Sequence, residues 1–317
     1  MDKLLGGVGE TALAEALRGG GILSFPHTAL AFAAPLQARV VDALYRSSVR
    51  RVIALGVLHS GGSRAYRRAL DDRHPKDVRR AAVAEVAGGW LLADPRVGTP
   101  FGDLTVLQSI EDPSTPVRVD RGGHLVKEFS LDTFLALMRR AADLRGVRPL
   151  PVLPLYIGLT RDPLDRTFVV AERLAAWIRK AATADDGRTA IVTTGDLVHY
   201  GTAYGQPEAD PSEPLDELTD RLRSSVEQML EAGLRKREWT LAHRLSLEAL
   251  HNDQREILPV LSEILGPARA WIHHFELSDY TDILGASPPC RVASALVIYE
   301  GTSDAAPDCR PLNSGVP

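Results

Sequence analysis

Three histidines follow short apolar runs almost directly. His27 stands two residues beyond Phe25 in Phe25-Pro-His-Thr, His59 four beyond Leu55 in Gly56-Val-Leu-His-Ser-Gly-Gly62, and His199 five beyond Thr194 in Gly195-Asp-Leu-Val-His-Tyr-Gly201. Imidazole is the commonest side-chain ligand for transition metals, and near its ordinary pKa it also gives and takes protons at neutral pH. One such histidine alone reads as an ordinary loop residue satisfied by water or backbone. Three at equivalent strand ends, each beside Gly or Pro, form a candidate metal centre if their strands lie parallel and adjacent, because the loops at the carboxyl ends of parallel strands open onto one crevice.

The remaining histidines give weaker patterns. His273 and His274 are adjacent in a predicted strand and point to opposite faces, so they cannot both grip one ion. His243 and His251 are eight apart in helical sequence and read as a surface helix face, while His74 sits in an Arg/Asp-rich segment and reads as solvated. His124 precedes Glu128 and is a minor candidate for a place near the site. Competing chemistries find no support. Gly6-Gly-Val-Gly9 follows no strand and has no Lys, so it is neither a phosphate loop nor a dinucleotide fingerprint. There is no His-Glu-x-x-His, no Cys-x-x-Cys and no Gly-x-Ser-x-Gly elbow. Ser60 beside His59 makes a poor hydrolase pair, since sequence neighbours rarely face one another. Asp71, Asp72 and Asp77 interrupt the basic stretch from Arg64 to Arg80, which reads as a solvated face rather than a phosphate track.

The elements that must position these residues alternate between strand and helix. Predicted strands are Gly21–Phe25, Arg51–Leu55, Asp103–Gln108, Leu150–Gly158, Ala190–Thr194, Ala268–Asp279 and Arg291–Glu300. Pro154 places the fourth of these toward a sheet edge or bulge. Predicted helices cover Thr11–Leu17, 35–47, Leu131–Ala142, Arg166–Ala182, 215–234 and 240–265, and the segment from Ser60 to about residue 95 reads as Arg-rich loop. This order implies a single-domain layered α/β sandwich over residues 1–300, with a central mixed, mostly parallel sheet, followed by a disordered tail at 301–317.

The chain has 317 residues, of which 44% are hydrophobic and 25% charged. These are globular values that argue against wholesale disorder. A chain of this size buries most of its unfolded surface and needs no metal or disulfide merely to fold. A net charge of −4 gives no pull toward nucleic acid or anionic membrane. With two cysteines, Cys290 and Cys309, there is neither a disulfide framework nor a Cys-rich zinc site. No apolar run reaches membrane-spanning length and the N-terminus lacks a signal core, so the expectation is a cytoplasmic protein whose partner is a small molecule.

Five blocks occur together in a specific order and spacing: Pro26-His27-Thr-Ala29, Leu55-Gly-Val-Leu-His59-Ser-Gly61, Thr99-Pro-Phe-Gly102, Glu128-Phe-Ser-Leu-Asp132 and Gly195-Asp-Leu-Val-His-Tyr-Gly201. In this the chain resembles the Memo family, which shares its fold with class III extradiol ring-cleaving dioxygenases. The likeness runs from about Gly21 to Glu300. It implies that His27 and His59 bind a metal and that Asp196 and His199 line the same pocket, with His199 placed for acid–base work. The family's third ligand is a Cys in a Cys-Gly-x-x-Pro-Ile block, a carboxylate in the dioxygenases. Here the block reads Asn252-Asp-Gln-Arg-Glu-Ile257, so Asn252 takes the Cys place and Asp253 follows it.

Two departures bear on chemistry. Without the Cys, only oxygen donors remain beside the histidines, a set close to the two-His-one-carboxylate iron(II) triad. Phe129 replaces the His of the family's Glu-His-Ser block and makes the pocket more apolar. The expectation is an iron(II) oxygenase-type enzyme acting on a small molecule and O2. Zinc or copper are the alternative metals. A non-catalytic metal-binding or signalling protein and a zinc hydrolase are the alternative functions. Gapless alignment favours Asn252 as third ligand, and charge favours Asp253. His199 is both a candidate ligand and the candidate acid–base group.

Overall fold

The computed structural model describes residues 11–59, 64–107, 114–184, 188–206 and 208–302. The expected tail beyond Thr302, Cys309, Ser60 and the Gly6–Gly9 run lie outside them. In chain order the elements are α1 (Thr11–Arg18), β1 (Ile22–Phe25), α2 (Leu30–Arg46), β2 (Arg51–Val57), α3 (Arg64–Leu70), α4 (Lys76–Val86), β3 (Gly89–Leu92), β4 (Arg96–Thr99), β5 (Gly102–Thr105), β6 (Val117–Asp120), α5 (Asp132–Arg145) and β7 (Val152–Ile157). There follow α6 (Val169–Thr183), β8 (Thr189–Thr194), β9 (His199–Gly201), α7 (Leu215–Leu230), α8 (Trp239–Glu248), α9 (Leu258–Leu265), β10 (Ala268–Asp279), α10 (Thr281–Leu284) and β11 (Cys290–Gly301).

One mixed sheet runs in the order β10-β11-β1-β8-β2-β7-β3-β6, with β9 paired to β11. Its centre, β1-β8-β2-β7, is parallel, and antiparallel strands flank it on the β11 side and at β7–β3. This is the expected α/β class with a mostly parallel core. The strands alternate between two apolar layers. In β2, Ile53, Leu55 and Val57 pack with α6, α7 and α9, whereas Val52 and Ala54 pack with α1, α2 and α5. Burial on both faces explains why these strands read as continuous apolar runs rather than alternating ones. β4 and β5 pair only with each other, so the strand expected at Asp103–Gln108 is half of a separate hairpin, linked to the main sheet by a bridge from Val106 to Val152.

Three expectations are corrected. The supposed loop before residue 95 contains α3, α4 and β3, whose buried faces consist of small residues, Ala65 and Ala69 on α3 and Ala82, Val83 and Val86 on α4; the arginines around them mask the period. β7 is central rather than marginal, because the alternating amides of a parallel strand turn the Pro154 nitrogen away from β2, toward a flank where β3 pairs only from Leu155 onward. The helix expected over 240–265 breaks into α8, a short 3₁₀ turn at Asp253–Arg255, and α9. His251 takes a left-handed conformation at φ 47° and Asn252 is extended, which ends helical continuity at the third-ligand block.

Candidate metal centre

The order β1-β8-β2 places the strands that precede His27, His199 and His59 side by side and parallel, so their carboxyl ends open together. The imidazoles of His27 and His59 converge there, with their Nε2 atoms 3.2 Å apart. Asp253 Oδ2 lies 3.5 Å from His27 Nε2 and 3.7 Å from His199 Nε2. Two overlapping triads result, His27/His59/Asp253 and Asp196/His199/Asp253, and within each the ligand-type atoms lie within 4.8 Å of one another.

Each ring is anchored by its other nitrogen. His59 Nδ1 lies 3.0 Å from Glu128 Oε1, and the same carboxylate accepts the backbone N–H of His59 at 2.7 Å and those of Phe129 and Ser130 at 2.9 Å. Ser130 Oγ donates to Val57 O, which ties this loop to β2. His27 Nδ1 is 3.3 Å from Thr194 Oγ1; that hydroxyl already donates to Phe25 O, so it accepts the His27 Nδ1–H. His199 Nδ1 donates to His251 O at 2.8 Å, and the left-handed turn at His251 aims that carbonyl. With Nδ1 anchored in all three rings, each Nε2 is turned to the shared centre, the orientation that metal-ligating histidines adopt.

Asp196 organises the floor. Its Oδ1 accepts the His27 N–H at 3.2 Å, its Oδ2 accepts the Thr28 hydroxyl, and its carbonyl accepts the Asp253 N–H at 3.1 Å. Asp196 follows Gly195, whose φ is +153°, and a Cβ there would come within 2.5 Å of Gln254 Cγ, so the strand end and the Asp253 turn pack with no space for a side chain. Gln254 in turn bonds Ser24 and Tyr299.

Charges follow from this packing. Burial opposes ionisation of Asp253, but the imidazoles of His199, His27 and His59, with Arg255, outweigh it and hold the carboxyl below its ordinary range. Burial dominates at Asp196 and pushes its pKa up despite His27 and His199. Burial also opposes charge on both His59 and Glu128, but their mutual hydrogen bond and attraction win, raising His59 and lowering Glu128 to about 2.

The two residues left open as third ligand separate clearly. Asp253 faces the imidazoles. Asn252 is fully buried, its Nδ2 bonds Met229 Sδ at 3.2 Å, and its Oδ1 caps the turn by accepting the Gln254 N–H. Phe129 stacks on His59 at 4.7 Å and meets His27 edge-on at 5.8 Å, forming an apolar wall at the mouth. His124 lies against Trp90 in a cleft of about 280 Å³ that it shares with His59 and Glu128. His243 is buried against Glu256 rather than on a surface face, and His251 contributes its carbonyl. Sequence reasoning missed Thr194, and it missed Tyr204, whose ring packs 4.8 Å from His199. Neither carries a local motif. Glu128 entered only beside His124 and as part of a family block.

No family model and no curated protein matches the chain. Among solved structures, it is similar to an uncharacterized protein of Escherichia coli K12, JW3007, at 13% identity and a TM-score of 0.41, covering 89% of this chain and 99% of that one.

Proposed function

We propose that this chain is a Memo-like, iron(II)-dependent oxygenase-type enzyme acting on a small molecule. The observation that carries this reading is the inward pair of Nε2 atoms at His27 and His59, facing each other at 3.2 Å beside the Asp253 carboxylate. Two imidazole nitrogens and a carboxylate gathered within 4.8 Å of one another are a donor set that a divalent cation can take. Two imidazoles and a carboxylate would suit iron(II). His27, His59 and Asp253 would hold the metal, and Glu128 and Thr194 would orient the two rings. Iron(II), when bound, supplies the redox chemistry that joins O2 to an organic substrate.

The chain's own groups supply the rest. His199 keeps Nδ1–H on the His251 carbonyl, so its Nε2 is the atom that takes and returns a proton at the centre. Asp253 stands 3.7 Å from that nitrogen, on the same side of the centre. Phe129 stacks over one face of His59, and His59, a third exposed against 1% for His27, marks the accessible flank. No helix among the described residues is long and apolar enough to cross a membrane. A reducing cytoplasm suits both iron(II) and the free, buried Cys290.

The test is anaerobic purification with metal analysis, then oxygen uptake on a panel of catechols and amino-acid-derived phenols. About one iron per chain and substrate-dependent O2 consumption are expected, with His199→Ala keeping most iron and losing most turnover. Stoichiometric zinc with no oxygen dependence would replace this reading with a hydrolase, and a metal-loaded protein without turnover would leave a binding protein.

A further inference from the structure

β10 closes one edge of the sheet: β11 pairs along one side of it and no described strand pairs along the other. It is twelve residues long, contains neither Pro nor Lys, and exposes 55% of Trp271. Soluble proteins usually blunt such edges with charge, proline or shortness, because unpaired backbone groups recruit another strand. A groove of about 420 Å³ runs along Ala268–Ile272, and its far wall is α7 and the turn after it. The wall's charges are taken up within the helix, Arg223 by Glu227 and Arg235 by Glu231, each at 3.2 Å.

The register of β10 carries one irregularity. Ile272 pairs with Val297 and His274 with Leu296, so His273 is skipped. Arg269 and Glu276 are seven apart, and in a regular strand they would point to opposite faces. The skipped residue brings them to the same face, with Trp271 and His274 between them. Ala270, Ile272 and Phe275 pack on the core side. Arg269 meets no acid among the described residues of its own chain, and Glu276 meets only His274, at 3.5 Å.

We infer that β10 is the seam of a homodimer, two copies pairing β10 to β10, antiparallel, across a two-fold axis at Ile272. Counted along the ladder with His273 looped out, this register sets Arg269 opposite the partner's Glu276, Trp271 opposite the partner's His274, and Ala270 opposite the partner's Phe275. Ile272 faces its own copy. Arg269 meets opposite charge, the Trp271 ring meets the His274 imidazole, and Ala270 and Ile272 meet apolar side chains, and the symmetry repeats every contact off the axis twice. A bulge can also spoil an edge for pairing. Here it is what makes the charge pattern self-complementary. The inference does not depend on the metal centre.

The full-length protein is examined by sedimentation equilibrium, where a species of twice the 34.4 kDa chain mass is expected at micromolar concentration. Arg269→Glu and Glu276→Arg, both at exposed positions, each place like charges opposite one another twice per dimer and are expected to weaken association on the order of tenfold. The double variant restores it. Independently, in a Cys309→Ser background, Ile272→Cys is expected to form an intermolecular disulfide on mild oxidation, and Arg269→Cys is not. A monomer throughout the micromolar range, a dimer indifferent to both charge swaps, or equal crosslinking at the two positions would each overturn the inference.

Discussion

Two histidine–glutamate pairs in this molecule use the same side chains in opposite ways. His59 commits Nδ1 to Glu128 at 3.0 Å and turns Nε2 toward His27. His243 turns Nε2 toward Glu256 Oε1 at 3.6 Å, and Glu256 Oε2 accepts from Thr160 N–H at 2.7 Å, Thr160 Oγ1 at 2.9 Å and Arg161 N–H at 3.3 Å. The first pair leaves Nε2 turned to the site; the second is closed upon itself in the core. Which nitrogen is spent, more than burial or charge, separates a ligand from a structural histidine.

The largest effects should fall on the open pair's centre. His27→Ala and Asp253→Ala are expected to lose nearly all bound iron by elemental analysis, while His243→Ala retains it; retention by both site variants would erase the distinction. Next, Glu128→Gln should reduce metal affinity about 10–100-fold in a chelator competition titration, since it loosens the His59 ring without removing a ligand.

The closed pair should answer in stability instead. Burial opposes the Glu256 charge, but His243, Arg255 and Thr160 outweigh it and lower its pKa in the folded chain. A carboxyl lowered on folding contributes stability that is full above its unfolded pKa of about 4.3 and is lost as pH falls toward the folded value. Glu256→Gln is therefore expected to cost about 2–4 kcal/mol in urea unfolding at pH 7 and less as the solution is acidified below pH ~4, with iron content unchanged. The smallest effect is Asn252→Ala, expected to cost about 1 kcal/mol through loss of the turn cap and to leave iron bound.

His27, His59 and His199 were legible because each follows a buried strand at short range, and the parallel, adjacent strands were the one condition to be met. The choice between Asn252 and Asp253 was not legible, since the expected helix gave both residues one smooth backbone. The break there had a signal, an Asn-Asp pair of the kind that starts helices followed by Pro259 at the head of α9, but the apolar period of 240–265 concealed it. α3 and α4 were lost because Ala faces carry little hydrophobic contrast against so many arginines. Thr194 acts on His27 across two strands, and Glu128 reaches His59 from 69 residues away, distances at which no spacing rule operates.

The insertion of β8 between β1 and β2 also sets a timetable. β1 and β2 leave the ribosome early, yet they do not pair with each other; both wait for Thr189–Thr194 to slide between them, and the cluster of imidazoles waits further for Asp253. Such non-local pairing must meet its chain-closure entropy before any contact rewards it, which makes the central sheet slow to assemble. A nascent chain therefore has two of the site's histidines and no assembled site for most of its synthesis, and under the proposed function metal capture would belong to the last stage of folding rather than to its nucleus.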